Sequence, residues 1–128
     1  VRILVDTHVL IWALMEPGRL SLEVSGQLTS RSNDVMFSAV SIWEIAIKTA
    51  LGRTDFRVSP RQIAAEAVRV GFSELPLVSD AAAQVADLPI VHRDPFDRLL
   101  VVQALAEGAR LFTADAELQP YSELIHII

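Results

Sequence analysis

Apolar residues along this chain come in short bursts separated by polar punctuation, and the spacing inside each burst predicts its geometry. Arg2 to Val5 is an unalternated β-branched and aliphatic run, which predicts a buried strand stopping at Asp6. Thr7 to Leu14 then reads as a helix ended by Pro17 and Gly18, and Ser21 is placed to cap a second helix toward Ser30. Asn33 and Asp34 mark a turn before a second strand, Val35 to Phe37. Ser38 or Ser41 caps the next helix, which continues through Leu51 and closes at Gly52. Ser59 followed by Pro60 opens another helix, ending at Gly71. Phe72 to Val78 is a third extended segment, in which Pro76 predicts an edge or a strand end. Ser79 and Asp80 begin an Ala-rich helix finishing near Leu88 and Pro89. Asp94-Pro95 opens a helix from Phe96 to Glu107 that Gly108 stops. Arg110 to Phe112 predicts a strand running into Thr113-Ala114-Asp115, and Leu124 to Ile128 a last one.

Strands therefore alternate with helices along nearly the whole length. That pattern predicts an α/β fold: a three-layer α/β/α sandwich around a central, mostly parallel sheet of four to five strands. The 128 residues fit a single domain spanning 1–128, with no visible repeat or linker. Hydrophobic residues at 52% and charged residues at 21% separate the chain from disordered compositions. With Cys at 0, disulfides and thiolate metal sites are excluded and a reducing cytoplasm is the simplest location. The apolar start is interrupted by Asp6 and His8 and reads poorly as a signal peptide. No stretch approaches the roughly 20 apolar residues of a spanning helix, so no membrane role is expected.

The net charge of -5 argues against nucleic-acid binding by phosphate neutralisation alone. A carboxylate cluster that binds divalent cations reverses that argument locally, because the ions supply positive charge where phosphate must approach. The acids are positioned for such a cluster. Ligands of open parallel sheets gather beyond the carboxyl ends of the strands, near the point where strand order reverses. Asp6 and Asp115 fall at strand ends, Asp94 and Asp97 at the start of a helix, and Glu44 one turn into a helix. Crowded carboxylates raise one another's pKa until some are neutral, and a hard divalent cation such as magnesium removes the conflict.

Each acid also has a structural reading. Asp6, Asp94 and Asp115 are good helix caps, and Asp97 suits the first turn of a helix dipole. Glu44 resists that reading, because its helix is apolar on almost every side. A Glu44–Lys48 pair at helical spacing is worth only about 0.2 to 0.5 kcal/mol. Thr7, Ser41 and Thr113 are auxiliary candidates that could orient a ligand or water, while hydroxyls at such places mostly cap. Arg93 and Arg98 flank the acidic motif as phosphate-gripping side chains would, and His92 is a further candidate for substrate contact. Trp12 and Trp43 fall on apolar helical faces, which favours packing over base stacking.

Four segments together resemble one family. They are Ile3-Leu4-Val5-Asp6-Thr7, Ser38-Ala39-Val40-Ser41-Ile42-Trp43-Glu44-Ile45, His92-Arg93-Asp94-Pro95-Phe96-Asp97-Arg98-Leu99-Leu100 and Leu111-Phe112-Thr113-Ala114-Asp115. In this order they are similar to PIN-domain proteins of the VapC toxin type. The resemblance implies a magnesium- or manganese-dependent endoribonuclease from a bacterial toxin-antitoxin pair. In it, Asp6, Glu44 and Asp97 take the three core acidic positions and catalytic metal-binding roles, and Asp115 takes the fourth. It implies a helping role for Asp94 through water and for Thr113 beside the fourth acid. It also implies an RNA substrate cleaved by metal-activated water, a homodimer, a cognate VapB-type antitoxin and a bacterial cytoplasmic location. Trp12 and the segment Leu20 to Leu28 are expected to offer apolar surface to such partners.

Two other readings stay open. A phosphatase or phosphotransfer domain would use Asp6 as nucleophile, although His8 stands where a second Asp would be expected and the last third of the chain has no Lys. A non-catalytic PIN-like interaction module would use the acids only as caps.

Overall fold

The computed structural model describes residues 1–52 and 57–128. The β-branched run at the start forms β1 (Arg2–Val5), and Asp6 turns the chain directly into α1 (Thr7–Met15). A short 3-10 turn at Pro17–Arg19 leads to α2 (Leu22–Thr29), capped by Ser21. Then follow β2 (Asp34–Ser38), α3 (Ala39–Ala50), α4 (Pro60–Arg69), β3 (Ser73–Leu75), α5 (Ser79–Gln84), α6 (Pro95–Glu107), β4 (Arg110–Thr113) and β5 (Ile125–Ile127). Among the two cap candidates for α3 it is Ser38 that accepts from the Val40 N–H, leaving Ser41 inside the helix. At the end of α6 Gly108 adopts the left-handed conformation, φ 61°, which lets the Ala109 N–H reach back to the Ala104 carbonyl and turns the chain into β4.

The five strands form one sheet in the order β3-β2-β1-β4-β5, and every pairing is parallel. Alternation along the central strands divides the core in two. Ile3, Val5, Val35, Phe37 and Phe112 pack one face against Val9 and Leu10 of α1, Val24 and Leu28 of α2, and Ile63 and Ala67 of α4. Leu4, Met36 and Leu111 pack the other face against Leu100, Val101 and Ala104 of α6. Helices thus cover both faces, and the three-layer sandwich expected from the hydrophobic pattern is the observed architecture.

Two expectations are corrected. The third extended segment pairs only over Ser73–Leu75, because Pro76 has no N–H to continue the ladder. Leu20, Val24 and Leu28, expected as partner-facing surface, are buried in the core, and Leu22 alone of that stretch's leucines is fully open at 93% exposure. Among the described residues no helix is long and apolar enough to cross a membrane.

An acidic cleft at the strand-order reversal

Strand order reverses between β1 and β4, so the chains leaving these two strands diverge and open a crevice at their carboxyl ends. Asp6 follows β1 and Asp115 follows β4. A cleft of about 520 Å³ at this place is lined by Asp6, His8, Trp12, Glu44, Lys48, His92, Asp94, Asp97, Ala114 and Asp115. The four core acids of the sequence reading and Asp94 therefore meet on one surface although they come from four regions of the chain. A larger groove of about 700 Å³, between the end of α1, α2 and α4, contains none of these acids. Volume alone does not mark the chemistry here.

Each acid is held by a neighbour that fixes its direction. The Asp6 carboxylate, 5% exposed, caps α1 by accepting the Val9 N–H at 2.8 Å. Burial pushes its pKa up, and the Thr113 hydroxyl, His8 and the Val9 N–H pull it back down. Thr113, itself fully buried, also accepts the Asp115 N–H at 3.0 Å, so one hydroxyl ties the first and fourth acids together. Glu44 is 3% exposed on the buried side of α3. The Thr7 hydroxyl donates to its Oε1 at 2.6 Å and lies 3.0 Å from Ser41 Oγ, while Lys48 Nζ meets its Oε2 at 2.5 Å.

Asp94 caps α6 through the N–H groups of Phe96 and Asp97, at 2.9 and 3.3 Å. Asp97 then points from the first turn of α6 into the cleft. Its pKa rises to about 7, first because it is buried and then because Asp94, Asp6 and Glu44 repel its charge. An edge contact between Trp43 and Phe96, ring centres 5.2 Å apart, braces α3 against α6 beside Glu44 and Asp97.

Arg98 differs from expectation, whereas His92 lines the cleft and bonds within the acidic group. His92 was a candidate for substrate contact, and its Nδ1 accepts the Asp94 N–H at 3.0 Å. The ring proton is therefore on Nε2, which donates to Asp115 Oδ2 at 2.8 Å. His92, Asp115 and the exposed Glu117 bring ligand atoms within 4.8 Å of one another, a tight group that does not include Asp6, Glu44 or Asp97. Glu117 was missed in the sequence because an exposed acid two residues past a cap looks like any first-turn carboxylate.

Arg98, expected to grip phosphate, instead turns its guanidinium into the preceding loop. It donates to the carbonyls of Val85, Leu88, Pro89 and His92 and to the Tyr121 hydroxyl, all at 3.0 to 3.3 Å. Both terminal nitrogens of this half-buried guanidinium are engaged by main-chain oxygens and the Tyr121 hydroxyl, so the side chain organises a loop. Arg93 remains exposed beside the acidic motif.

The donor set suits a hard divalent cation. It is five carboxylates with two imidazoles, those of His8 and His92, and no thiolate, and the crowding that adds to the lift on Asp97 is the electrostatic conflict such an ion relieves.

Comparison with known proteins gives a family and a fold match. A family model for the PIN domain matches residues 3–124. Ribonuclease VapC22 of Mycobacterium tuberculosis (strain ATCC 25618 / H37Rv) is 34% identical over 123 residues, covering 93% of this chain and 91% of that protein. The crystal structure of VapBC2 from Rickettsia felis bound to a DNA fragment from their promoter superposes with a TM-score of 0.69 at 12% identity, over 100% of this chain and 98% of that one. At that identity the superposition speaks to the fold.

Proposed function

The chain belongs to the PIN-domain family, and from that premise we propose that it is a VapC-type toxin, an endoribonuclease dependent on magnesium or manganese. The observation that carries the reading is the meeting of Asp6, Glu44, Asp97 and Asp115 in one cleft at the strand-order reversal, with Asp97 driven to a pKa of about 7 by burial and then by its acidic neighbours. These four carboxylates would hold one or two divalent ions, with Asp94 contributing through water. A cation bound there supplies charge against the phosphate and acidifies water for attack on phosphorus.

The protein's own part is orientation. Thr7 and Lys48 hold both Glu44 oxygens, Thr113 links Asp6 to the Asp115 main chain, and His92 holds Asp115 by its Nε2 proton. Asp6 is poorly placed as a phosphoryl-accepting nucleophile, since it is buried, caps α1 and takes the Thr113 proton. The partners that follow are an RNA substrate, a VapB-type antitoxin, as in the VapBC2 complex, and a second copy of the chain. The reading places the protein in a bacterial cytoplasm.

Cleavage of single-stranded RNA with magnesium, with manganese and with chelator tests the proposal. Activity should need the ion, and Asp6→Asn and Glu44→Gln should each fall by more than about 100-fold, beyond the 10- to 100-fold typical of losing an outer hydrogen-bond partner. Full cleavage by Asp6→Asn would remove that residue from the site.

A further inference from the structure

Resting on the nuclease reading of the cleft, we propose that His8, Trp12 and Arg19 form a stacking track for a nucleobase of single-stranded RNA beside the scissile phosphate. His8 and Trp12 line the same cleft as Asp6, Glu44 and Asp97. They lie one helical turn apart on α1, the helix that Asp6 caps, with ring centres 5.9 Å apart and planes inclined by 50°. The Arg19 guanidinium carbon sits 5.3 Å from the centre of the Trp12 ring, and Glu16 holds Arg19 there through a 2.9 Å ion pair while 59% of its side chain stays exposed. Moving away from the acids, the chain thus presents an imidazole, an indole and a guanidinium in sequence. Nucleobases stack on all three kinds of plane.

Two arguments favour a base over simple packing. First, the buried positions of α1 are Thr7, Val9 and Leu10, while Trp12 reaches the core with part of its surface and the cleft with the rest. Second, the cleft is poor in charge for gripping a strand. Five carboxylates line it, Lys48 is paired with Glu44, and Arg98 is engaged by the loop. Beyond what a cation and the exposed Arg93 and Arg19 supply, affinity for a polyanion comes from contacts indifferent to charge, and base stacking is a main one in single-strand binding.

The reach is also right. Six residues of helix separate Asp6 from Trp12, about 9 Å along the axis, which spans two to three stacked nucleotides at about 3.4 Å each. A duplex keeps its base faces covered, so the occupant is an unpaired base.

The test is kcat/KM for a single-stranded RNA oligonucleotide and for versions carrying an abasic nucleotide at each of the three positions on either side of the cut. Wild type should lose roughly 5- to 150-fold at one abasic position, the equivalent of about 1 to 3 kcal/mol per stacked base. Trp12→Leu should lose a similar factor on the intact RNA and nothing further at that position, and Trp12→Phe should recover most of it. If Trp12→Leu does not fold, the exposed Arg19→Ala carries the same comparison and should shrink the abasic effect. Wild type indifferent to every abasic position, or losses that simply multiply, would overturn the track while leaving the nuclease standing. Trp12→Leu with unchanged kcat/KM would overturn it too and assign the ring to a protein contact. No metal-dependent cleavage by wild type would instead remove the nuclease reading, and the track with it.

Discussion

Replacing Asp97 by Asn should make the cation-free protein more stable at about pH 8 while removing its response to magnesium. An ordinary Asp ionises near 3.8, and in the folded chain Asp97 does so at about 7. Three units of difference at about 1.4 kcal/mol each amount to about 4 kcal/mol. The direction follows from which state ionises first. Below about pH 4 the group is neutral folded and unfolded, so it costs nothing. Between about pH 4 and 7 the unfolded chain releases the proton while the folded one keeps it, so stability falls as pH rises and the loss is complete above about 7. Asn avoids this loss but gives up a favourable helix-dipole contact of about 0.3 to 1 kcal/mol, leaving a net gain of about 3 kcal/mol. In a domain of this size that is a rise in Tm on the order of 10 °C. Urea and thermal unfolding in chelator, at about pH 4.5 and 8, read it directly, and comparing the two proteins at each pH cancels the carboxylates outside the cleft, while relief of Asp94, Asp6 and Glu44 adds to the gain. Magnesium at about pH 8 should then stabilise wild type far more than Asp97→Asn. If Asp97→Asn is no more stable than wild type at about pH 8 without cation, the crowding argument is wrong.

Two further substitutions separate loop organisation from the orientation of the acids. Arg98→Ala should destabilise by about 1 to 3 kcal/mol in urea unfolding, since it removes the one side chain that bonds four carbonyls of the same loop, and Arg98→Lys should restore little because a point ammonium cannot span them. Thr113→Val keeps the shape of the side chain but removes the proton given to Asp6 and the acceptor of the Asp115 N–H. Its RNA cleavage should fall about 10- to 100-fold, and the magnesium needed for half activity should rise, with little change in Tm.

The elements were legible because their boundaries are written in local chemistry. Ser21, Ser59 and Asp94 announce helix starts, Gly108 announces a stop, and the unalternated run at Arg2–Val5 announces burial on both faces. Glu44 was legible as an anomaly, a carboxylate in an apolar helix, and it is buried between Thr7 and Lys48. What stayed hidden depends on side-chain direction over long sequence distances. Nothing local reveals that the Arg98 guanidinium reaches back to Val85, that the Tyr121 hydroxyl receives the N–H groups of Val91 and His92, or that Trp12 turns toward the acids. Leu20 to Leu28 misled for the same reason. A short amphipathic helix looks alike whether its apolar side meets a partner or the sheet.

The rival readings of the acids, cap or ligand, prove to be compatible, and the reason is the two-oxygen geometry of a carboxylate. Asp6 gives Oδ1 to the Val9 N–H, and Asp94 gives Oδ1 to the N–H groups of Phe96 and Asp97. Each retains lone pairs, Asp6 even after taking the Thr113 hydroxyl, because a carboxylate offers about four lone-pair sites in all. Capping therefore does not compete with ion binding. It orients the remaining oxygen, because the first turn of a helix is among the most rigid frames a short side chain can be tied to. Asp115 is the extreme case, with Oδ1 on the Glu117 N–H and Oδ2 on His92, so both of its oxygens are directed before any ion arrives. A sequence motif that reads as a good helix start can thus serve as the positioning device of a cation site, and the cap preference of Asp is one physical reason the two coincide.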